Sequence, residues 1–275
     1  MQSTSIEKSI HYNGEVTILF YPDSHRYKLE GEKTFLVGVT TATGMVDKST
    51  PLMIWNERLI RKFLMESLER GEPLSEGLIE MAVTLHSTKK EEAATSGTLV
   101  HEWAEKYIKG DKPDVPKDEA VRNGVLAFLK WVQKYQIKFI SSEKRVYSRK
   151  YKYVGTMDCE FTMGAENHKI VHPGDFKTSS GVYMPMVFQV AGYQEAATEE
   201  FGTIYGDKWL LRFQKEDKED KNGNIVQRAG EFEAKSFHAS DHPVHFRGFL
   251  SCLELKEQSK VWEREHGIYA KKSYA

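Results

Sequence analysis

Two segments of alternating residues, joined by a turn, constrain the fold of this chain more than any other feature. Residues 153–163, "YVGTMDCEFTM", alternate in the manner of a β-strand that has two different faces. One face carries Tyr153, Met157, Cys159, Phe161 and Met163, and the other carries Thr156, Asp158, Glu160 and Thr162. The turn "GAEN" (164–167) follows, and "HKIVHPGDFKT" (168–178) returns as a second strand. The pattern predicts an antiparallel hairpin in the middle of the chain.

This hairpin brings acidic residues of its two strands together. If the turn centres on residues 164–167, Asp158 and Asp175 become opposite or diagonal neighbours on adjacent strands. Lys177 follows Asp175 by two residues, so strand alternation places both side chains on the same face. Two carboxylates about 4 Å apart repel by roughly 4 kcal/mol at an effective dielectric constant near 20. A shared proton, a cation or solvent must therefore compensate the pair.

A divalent metal ion beside Lys177 would compensate these charges. Oxygen ligands of this kind suit Mg²⁺ or Mn²⁺. A metal-bound water has a lowered pKa, and a nearby lysine could orient or deprotonate it, so the group could hydrolyse a phosphodiester. The alternative is that Asp158, Asp175 and Lys177 are solvated residues on an exposed face of the sheet, where ion pairs contribute little.

Two further polar elements could belong to the same site. Gln189 and Tyr193 are four residues apart in a predicted helix after the second strand, so they share one helical face and could hold a phosphate or a terminal nucleotide. His101 lies at the edge of the apolar stripe of the helix predicted over residues 96–110. Each has a structural alternative, because tyrosine at helical spacing and a single histidine on an apolar face are more often core residues.

The order of predicted elements indicates an α/β (α+β) protein. Strands are predicted within residues 15–42, where a small antiparallel sheet is expected, and at 139–149, 203–214 and 225–237, the last two joined through a turn at Asn222-Gly223. Helices are predicted over about 51–70, 76–93, 96–110, 118–135, 183–200 and 241–265. We expect a central mixed sheet flanked by helices. Residues 1–95 would form an N-terminal β element and helices packed on a core of residues 96–275, in one compact unit.

The composition of the chain restricts which cysteine-based sites it can form and where in the cell it is expected. The two cysteines, Cys159 and Cys252, are too few for a disulfide framework, a four-cysteine zinc site or a cysteine-ligated iron–sulfur cluster. The sequence shows neither a membrane-spanning apolar run nor an N-terminal signal peptide, so a cytoplasmic protein is expected. The net charge of −1 neither supports nor excludes nucleic acid as a partner, although basic residues gather at 143–153, "EKRVYSRKYKY".

A second group of candidate ligands lies near the C-terminus. His238, His242 and His245 occur in "FHASDHPVHF" and could bind zinc. The favoured interpretation is a polar loop that leads into the last helix, with Ser240 or Asp241 as its N-cap.

The motifs, taken in order, resemble those of a nuclease family. "GTLVH" (97–101), Glu143 at the start of a strand, "GTMD" (155–158), "DFKT" (175–178) and a glutamine four residues before a tyrosine occur in the order typical of the RecB-like branch of the PD-(D/E)xK nuclease superfamily. The N-terminal "SHRYKLEGEKTFLVGVTTATGMVDKSTPLMIW" (24–55) is similar to the leader of phage-type members of this branch. The resemblance implies a restriction-endonuclease-like core.

The resemblance also implies roles for individual residues. The metal ligands would be His101, Asp158, Asp175 and the main-chain carbonyl of Phe176. Lys177 would position the attacking water, and Gln189 and Tyr193 would contact the DNA or steady the lysine. Glu143 would bind substrate by touching a second metal or a water, or would pair with Arg145 or Lys177. The cofactor would be Mg²⁺, with Mn²⁺ as a substitute.

The chain departs from the family pattern in two ways. Gly174 stands between Pro173 and Asp175, where the family has proline directly before the acid, and proline cannot donate to a strand ladder, so a bend or bulge is expected there. The chain also lacks the four cysteines of those relatives that carry an iron–sulfur cluster, so no such cluster is expected.

The sequence therefore predicts a Mg²⁺- or Mn²⁺-dependent deoxyribonuclease, and more specifically an exonuclease of phage or prophage recombination or DNA processing. Expected partners are DNA ends, a phage single-strand annealing or recombination protein, and further copies of the chain in a homo-oligomer. One alternative is an inactive DNA-binding or assembly protein that keeps the fold. Another is a protein-interaction module in which Asp175 and Lys177 occur together by chance.

Overall fold

The computed structural model describes residues 5–164, 170–220 and 224–266. Residues 165–167 of the predicted "GAEN" turn and the predicted Asn222-Gly223 turn lie outside these ranges. These residues form a six-stranded mixed sheet with helices on both faces and a small antiparallel sheet near the N-terminus. The predicted α/β (α+β) class, with a central mixed sheet and a small N-terminal antiparallel element, is confirmed.

The small sheet packs on the edge of the central one. Its antiparallel strands are β1 (Glu7–His11), β2 (Val16–Tyr21) and β3 (Arg26–Leu29). Ile18, Phe20 and Tyr27 are buried against Tyr147 and Val154 of the central sheet. Burial of these apolar side chains, each of which contributes about 1.5–3 kcal/mol when fully buried, fixes the small sheet in place.

The central sheet combines parallel and antiparallel neighbours. Its strands are β4 (Val37–Gly38), β5 (Lys138–Ser148), β6 (Tyr153–Thr162), β7 (His172–Lys177), β8 (Lys208–Phe213) and β11 (Phe232–Phe237). Between β8 and β11 the chain forms a separate two-stranded ribbon of β9 (Lys218–Glu219) and β10 (Ile225–Gln227). β7 pairs antiparallel with β6 and parallel with β8. The strand predicted over 225–237 is two strands, because Gly230 turns the chain with a φ of 84°.

The described residues form six α-helices. They are α1 (Val39–Thr43), α2 (Ser49–Glu69), α3 (Glu76–Ile108), α4 (Glu119–Lys134), α5 (Met184–Phe201) and α6 (His242–His266). Side-chain caps fix two of the starts: Ser75 accepts from the N–H of Leu78, and Asp118 accepts from the N–H of Val121. α5 ends at Gly202, which adopts the left-handed conformation with a φ of 67°.

The two faces of the sheet have separate cores. Helices α1, α5 and α6 cover Tyr153 and Met157, whereas α3 and α4 cover Cys159 and Phe161. The prediction that these four residues share one face is therefore wrong. The β5–β6 ladder shifts register between Phe139 and Ser141, and Glu143, opposite this part of β6, has a left-handed φ of 50°, so the pairing beside these residues is not regular.

Helix α3 is one continuous helix of 33 residues where two were predicted. It runs through the predicted boundary at residues 95 and 96, and β4, from the N-terminal part, pairs with β6. The division into 1–95 and 96–275 stays a prediction. α2 and the first half of α3 expose large apolar side chains, which include Met53, Trp55, Leu68, Ile79 and Met81. None of the helices in the described part of the chain is long and apolar enough to cross a bilayer.

Candidate functional site

The candidate site lies where two strands of the central sheet separate. β5 pairs with β6 along its whole length, and β7 pairs with the opposite edge of β6 as far as Cys159. β4 takes that same edge at Tyr153 and Val154. Residues 155–158 therefore face a gap between β7 and β4, and the motif "GTMD" lines this gap.

Asp158 connects the two separating strands through its side chain. Its Oδ2 accepts a hydrogen bond from the main-chain N–H of Phe176 at 2.7 Å. The register of the preceding β6–β7 pairs, continued by one residue, sets Asp158 opposite Asp175. The structure thus brings the two acids of the hairpin to the same level of neighbouring strands.

Pro173 and Gly174 keep β7 in a regular register before this point. Pro173 pairs with Glu160 and Gly174 pairs with Cys159 without a shift, so the bulge predicted at Pro173 is wrong. A Cβ at Gly174 would lie 2.7 Å from the Sγ of Cys159. The glycine allows the first half of β7 to lie close to β6. This pairing fixes the position of Asp175 relative to β6.

Asp175, Lys177 and Gln189 form a closed ring of polar contacts. Asp175 is fully buried, and its Oδ2 forms an ion pair with the Nζ of Lys177. Gln189, from α5, donates from Nε2 to Asp175 Oδ1 at 3.1 Å and accepts at Oε1 from Lys177 Nζ at 3.2 Å. The two side chains of β7 lie on one face, and a helix above that face orients both.

Tyr193 supports this ring from the next turn of α5. Its hydroxyl accepts from Gln189 Nε2 at 2.9 Å, and the side chain is buried. Gly155 lies under the tyrosine ring, where any Cβ would overlap it. The glycine of "GTMD" therefore allows Tyr193 to approach β6, and Tyr193 then holds Gln189.

His101 reaches the site from α3 on the other side of the sheet edge. A Cβ at Gly97 would lie 3.1 Å from Thr178 Oγ1, so the glycine allows α3 to pass close to the end of β7. One turn later, the His101 ring lies edge-on to Phe176, with centroids 6.0 Å apart. Its Nδ1 is 3.6 Å from Asp158 Oδ2.

Glu143 lies on β5 beside Asp158, on the far side of β6 from β7. Its side chain is exposed, yet the surrounding protein still desolvates the carboxyl, and this together with repulsion from Asp158 raises its pKa to about 8. The two partners considered for Glu143 are engaged elsewhere, because Arg145 pairs with Glu7 and Lys177 pairs with Asp175.

Burial shifts the titration of the four central groups. Desolvation raises the pKa of Asp175 to about 6, against the attraction of Lys177, and also raises the pKa of Asp158. Burial lowers the pKa of His101, which favours a neutral imidazole. Burial would also lower the pKa of Lys177, but the attraction of Asp175 and Asp158 outweighs it, so that pKa is raised. One ammonium thus faces two acids.

The donor set of this cluster fits a hard divalent cation. Two carboxylates supply oxygen and the neutral imidazole supplies nitrogen. A cation would also neutralise the excess acid beside Lys177. In this structure Lys177 engages Asp175, and among the described residues no three His, Cys, Asp or Glu side chains already stand in a metal-binding arrangement.

Residues from distant segments complete the surroundings. Tyr27, from β3, bonds to Thr156 Oγ1 through its hydroxyl at 2.8 Å, and Glu143 and Asp158 both raise its pKa after the larger effect of desolvation. Lys215, after β8, lies close enough that its charge lowers the pKa of His101. No local pattern marks Lys215, and tertiary packing alone brings Tyr27 of the N-terminal segment to the site.

Two basic residues of segment 143–153 pair with acids of the same chain. Lys144 pairs with Glu160 at 3.0 Å, and Arg149 pairs with Glu15 at 2.8 Å. Arg149 also lies over the ring of Tyr12, 4.1 Å from its centroid. These charges fasten β5 to the sheet and to the N-terminal segment.

The three C-terminal histidines serve different contacts. His238 accepts from the N–H of Ser240, and His242 lies 3.0 Å from Glu195. His245 lies edge-on to the ring of Phe237. These contacts fit the loop-and-helix interpretation of the segment better than a zinc site.

Comparison with known proteins gives limited similarity. No family model matches the sequence, and no curated protein matches it significantly. Among solved structures, the chain is similar to the crystal structure of an alkaline exonuclease, LHK-Exo, from Laribacter hongkongensis, with a TM-score of 0.27 and 8% identity over 61% of this chain and 84% of that chain. LHK-Exo in complex with dAMP gives a TM-score of 0.27 and 10% identity over 61% and 83%. Similarity at this level supports no conclusion about the site.

Proposed function

We propose that this chain is a metal-dependent deoxyribonuclease of the PD-(D/E)xK type, with the RecB-like order of motifs. The observation that carries the proposal is the meeting of Asp158, Asp175 and Lys177 where β6 and β7 separate. The side chains of Asp175 and Lys177 are 0% and 17% exposed, which argues against a solvated surface pair. A mixed sheet with helices on both faces also fits a restriction-endonuclease-like core.

Mg²⁺ would be held by Asp158, Asp175, His101 and the main-chain carbonyl of Phe176, with Mn²⁺ as a substitute. When bound, the ion would supply positive charge to the phosphate and lower the pKa of a water. An iron–sulfur cluster is not part of the proposal, because the two cysteines are buried in different cores.

Lys177 would orient the attacking water by donating a hydrogen bond. Its raised pKa keeps Nζ protonated, which favours a donor over a general base. Gln189 would fix the direction of Nζ through the bond at 3.2 Å, and the buried Tyr193 would fix Gln189. Glu143, with a pKa of about 8, would be largely protonated at neutral pH and would donate to a phosphate oxygen of the substrate.

The finer proposal is an exonuclease that acts on DNA ends in phage or prophage recombination, in the cytoplasm of a bacterium or an infected host. It rests on the order and spacing of the sequence motifs. A phage single-strand annealing or recombination protein and a homo-oligomer would be the partners besides DNA.

The test uses the purified chain with linear DNA and Mg²⁺. Replacement of Lys177 by alanine should lower the rate of DNA hydrolysis by roughly 10²-fold or more. Lys130→Ala, an exposed lysine of α4, is the matched control and should leave the rate unchanged. A covalently closed circle should resist digestion if the enzyme needs ends. Equal digestion by the wild type and Lys177→Ala would refute the proposal.

An inactive DNA-binding protein that keeps the nuclease fold is the second candidate. The closed contact between Lys177 and Asp175 favours it, because this contact occupies a proposed metal ligand. Titration calorimetry separates the two: the nuclease proposal requires heat of Mg²⁺ binding that Asp158→Asn abolishes, and the second candidate requires DNA binding without that heat.

A further inference from the structure

A basic cavity lies beside the proposed site, on the same edge of the sheet. It has a volume of about 360 Å³, and its walls come from the loop after β7, the end of β8 and strands β9 to β11. Arg212 of β8 is the parallel partner of Lys177. Because parallel strands end at the same edge of a sheet, the cavity and Lys177 both lie at that edge.

The walls of the cavity are positively charged. Arg212, Lys218 and Lys235 line it together with one acid, Glu233. Arg212 is 1% exposed and forms an ion pair with Glu233 at 2.7 Å, so that the two exposed lysines remain as the excess charge. A cavity of this size with excess cationic side chains suits a phosphate group.

The loop from Lys177 to α5 joins the cavity to the site. The carbonyl of Ser179 accepts from Arg212 Nη1 at 3.2 Å, which holds the loop against β8. Lys218 lies over the same loop, since a Cβ at Gly181 would be 3.8 Å from its Nζ. Within the described residues, no helix or strand lies between Lys177 and residues 181–183, which line the cavity.

An exposed aromatic ring stands at the rim of this cavity. Tyr183 is 51% exposed, although it is the N-cap residue of the α5 helix. Its hydroxyl lies 3.1 Å from Ser180 Oγ, and its ring packs beside Gly181, so the ring has a fixed direction. A fixed exposed tyrosine next to a phosphate-sized cationic cavity is the arrangement that binds unpaired nucleotides.

We propose that this cavity and Tyr183 bind a single-stranded segment of the substrate next to the scissile bond. Lys218 and Lys235 contact a backbone phosphate, and Tyr183 stacks on the neighbouring base. This inference rests on the proposed nuclease function and names where its substrate strand lies. A free nucleotide presents the same phosphate chemistry, so the experiment distinguishes the two ligands.

The experiment measures binding of fluorescein-labelled oligothymidylate in EDTA, over a series of salt concentrations. The doubly substituted variant K218Q/K235Q should bind roughly 10-fold more weakly at low salt, with a salt slope smaller by about 1. Tyr183→Ala should weaken binding by roughly 5- to 100-fold with an unchanged slope, since stacking is not ionic. Thermal unfolding of each variant verifies that it is folded.

The matched control is K130Q/K134Q, which removes the same charge from the other end of the sheet. Trp131, between these lysines, packs on Trp209 at the start of β8, whereas the cavity lies at its end. Unchanged affinity and slope in K218Q/K235Q, or the same loss in the control, would overturn the inference. Equal affinity for thymidine monophosphate and the oligonucleotide would also overturn it.

The experiments distinguish a failure of this inference from a failure of the nuclease assignment. Binding that depends on Lys218 and Lys235, without any hydrolysis in Mg²⁺, would refute the proposed function and retain the strand-binding surface. Hydrolysis that Lys177→Ala abolishes, with K218Q/K235Q unchanged in binding and in KM, would retain the function and refute this surface.

Discussion

Glu160 and Asp175 are both buried acids that pair with a lysine, and they lie on adjacent strands of one sheet. Glu160 accepts from Ser141 Oγ at 2.6 Å, from Lys144 Nζ at 3.0 Å and from the hydroxyl of Tyr205. Its charge is thus surrounded by donors from three directions. Such an arrangement satisfies a buried carboxylate and stabilises the fold.

Asp175 is less well compensated. Its donors are Lys177 and Gln189, and the register sets a second acid, Asp158, opposite it. Desolvation then raises the pKa of Asp175 to about 6. The comparison teaches that contact between a buried acid and a lysine does not by itself mark a functional site. A buried acid that has too few hydrogen-bond donors, and a second acid beside it, is the better indication.

The largest difference between the two acids should appear in catalysis. Asp175→Asn should lower the rate of DNA hydrolysis by roughly 10²–10⁴-fold, because it removes a proposed metal ligand and the partner of Lys177. Glu160→Gln should keep the rate per folded molecule. Steady-state assays with linear DNA measure both, and a loss in Glu160→Gln as large as in Asp175→Asn would erase the distinction.

Stability should show the opposite order. Glu160→Ala should lower the free energy of unfolding by about 3 kcal/mol, because it leaves Lys144 and the Tyr205 hydroxyl without their shared acceptor. Asp175→Asn should cost less, since it removes a carboxylate that burial already disfavours. Denaturant unfolding in EDTA measures the free energy of unfolding of both variants. A larger decrease in Asp175→Asn than in Glu160→Ala would contradict the prediction.

A divalent cation should stabilise the site and leave the Glu160 network unaffected. At about 100 times its dissociation constant, Mg²⁺ or Mn²⁺ should raise the free energy of unfolding by about 2.7 kcal/mol. The increase should vanish in Asp158→Asn and persist in Glu160→Gln. Thermal unfolding with and without the metal provides the measurement, and an equal increase in both variants would place the ion elsewhere.

Glu199 extends the comparison to pH and should give the smallest effect. Burial raises the pKa of this carboxyl, but hydrogen bonds from Ser148, the N–H of Lys150 and Tyr12 outweigh it, so the pKa is lowered from 4.5. Its contribution to stability is therefore present above pH 4.5 and is lost as the pH falls through the lower folded value.

Glu199→Gln should consequently make stability less dependent on pH in this acidic range. Urea unfolding midpoints at several pH values, compared with the wild type, test the expectation. A steeper loss below pH 4.5 in the variant would show that Glu199 is not a satisfied acid of the Glu160 kind.

The parts of the site that depend on local pattern could be read from the sequence. Strand alternation places Asp175 and Lys177 together, and the helical spacing of Gln189 and Tyr193 places both on one face, and the structure has these contacts. The hairpin also sets Asp158 at the level of Asp175. Each of these relations spans a few residues or a single turn.

The parts that depend on tertiary packing could not be read in this way. The approach of Tyr27 to Thr156 and the pairing of Arg149 with Glu15 join segments more than a hundred residues apart. Met157 and Cys159 lie in separate cores, and the β5–β6 ladder beside them is irregular, neither of which strict alternation reveals. The continuity of α3 also overrides its local sequence, which contains glycine and threonine in the middle.

That continuity has a mechanical consequence. A helix of 33 residues is about 50 Å long, so α3 is a rod whose near half packs on the core and carries His101, while its far half exposes apolar side chains. A force that tilts the far half is carried to the imidazole, because an unbroken ladder of backbone hydrogen bonds bends little. A change in the tilt of the rod would therefore alter the distance between that imidazole and the acids of the sheet.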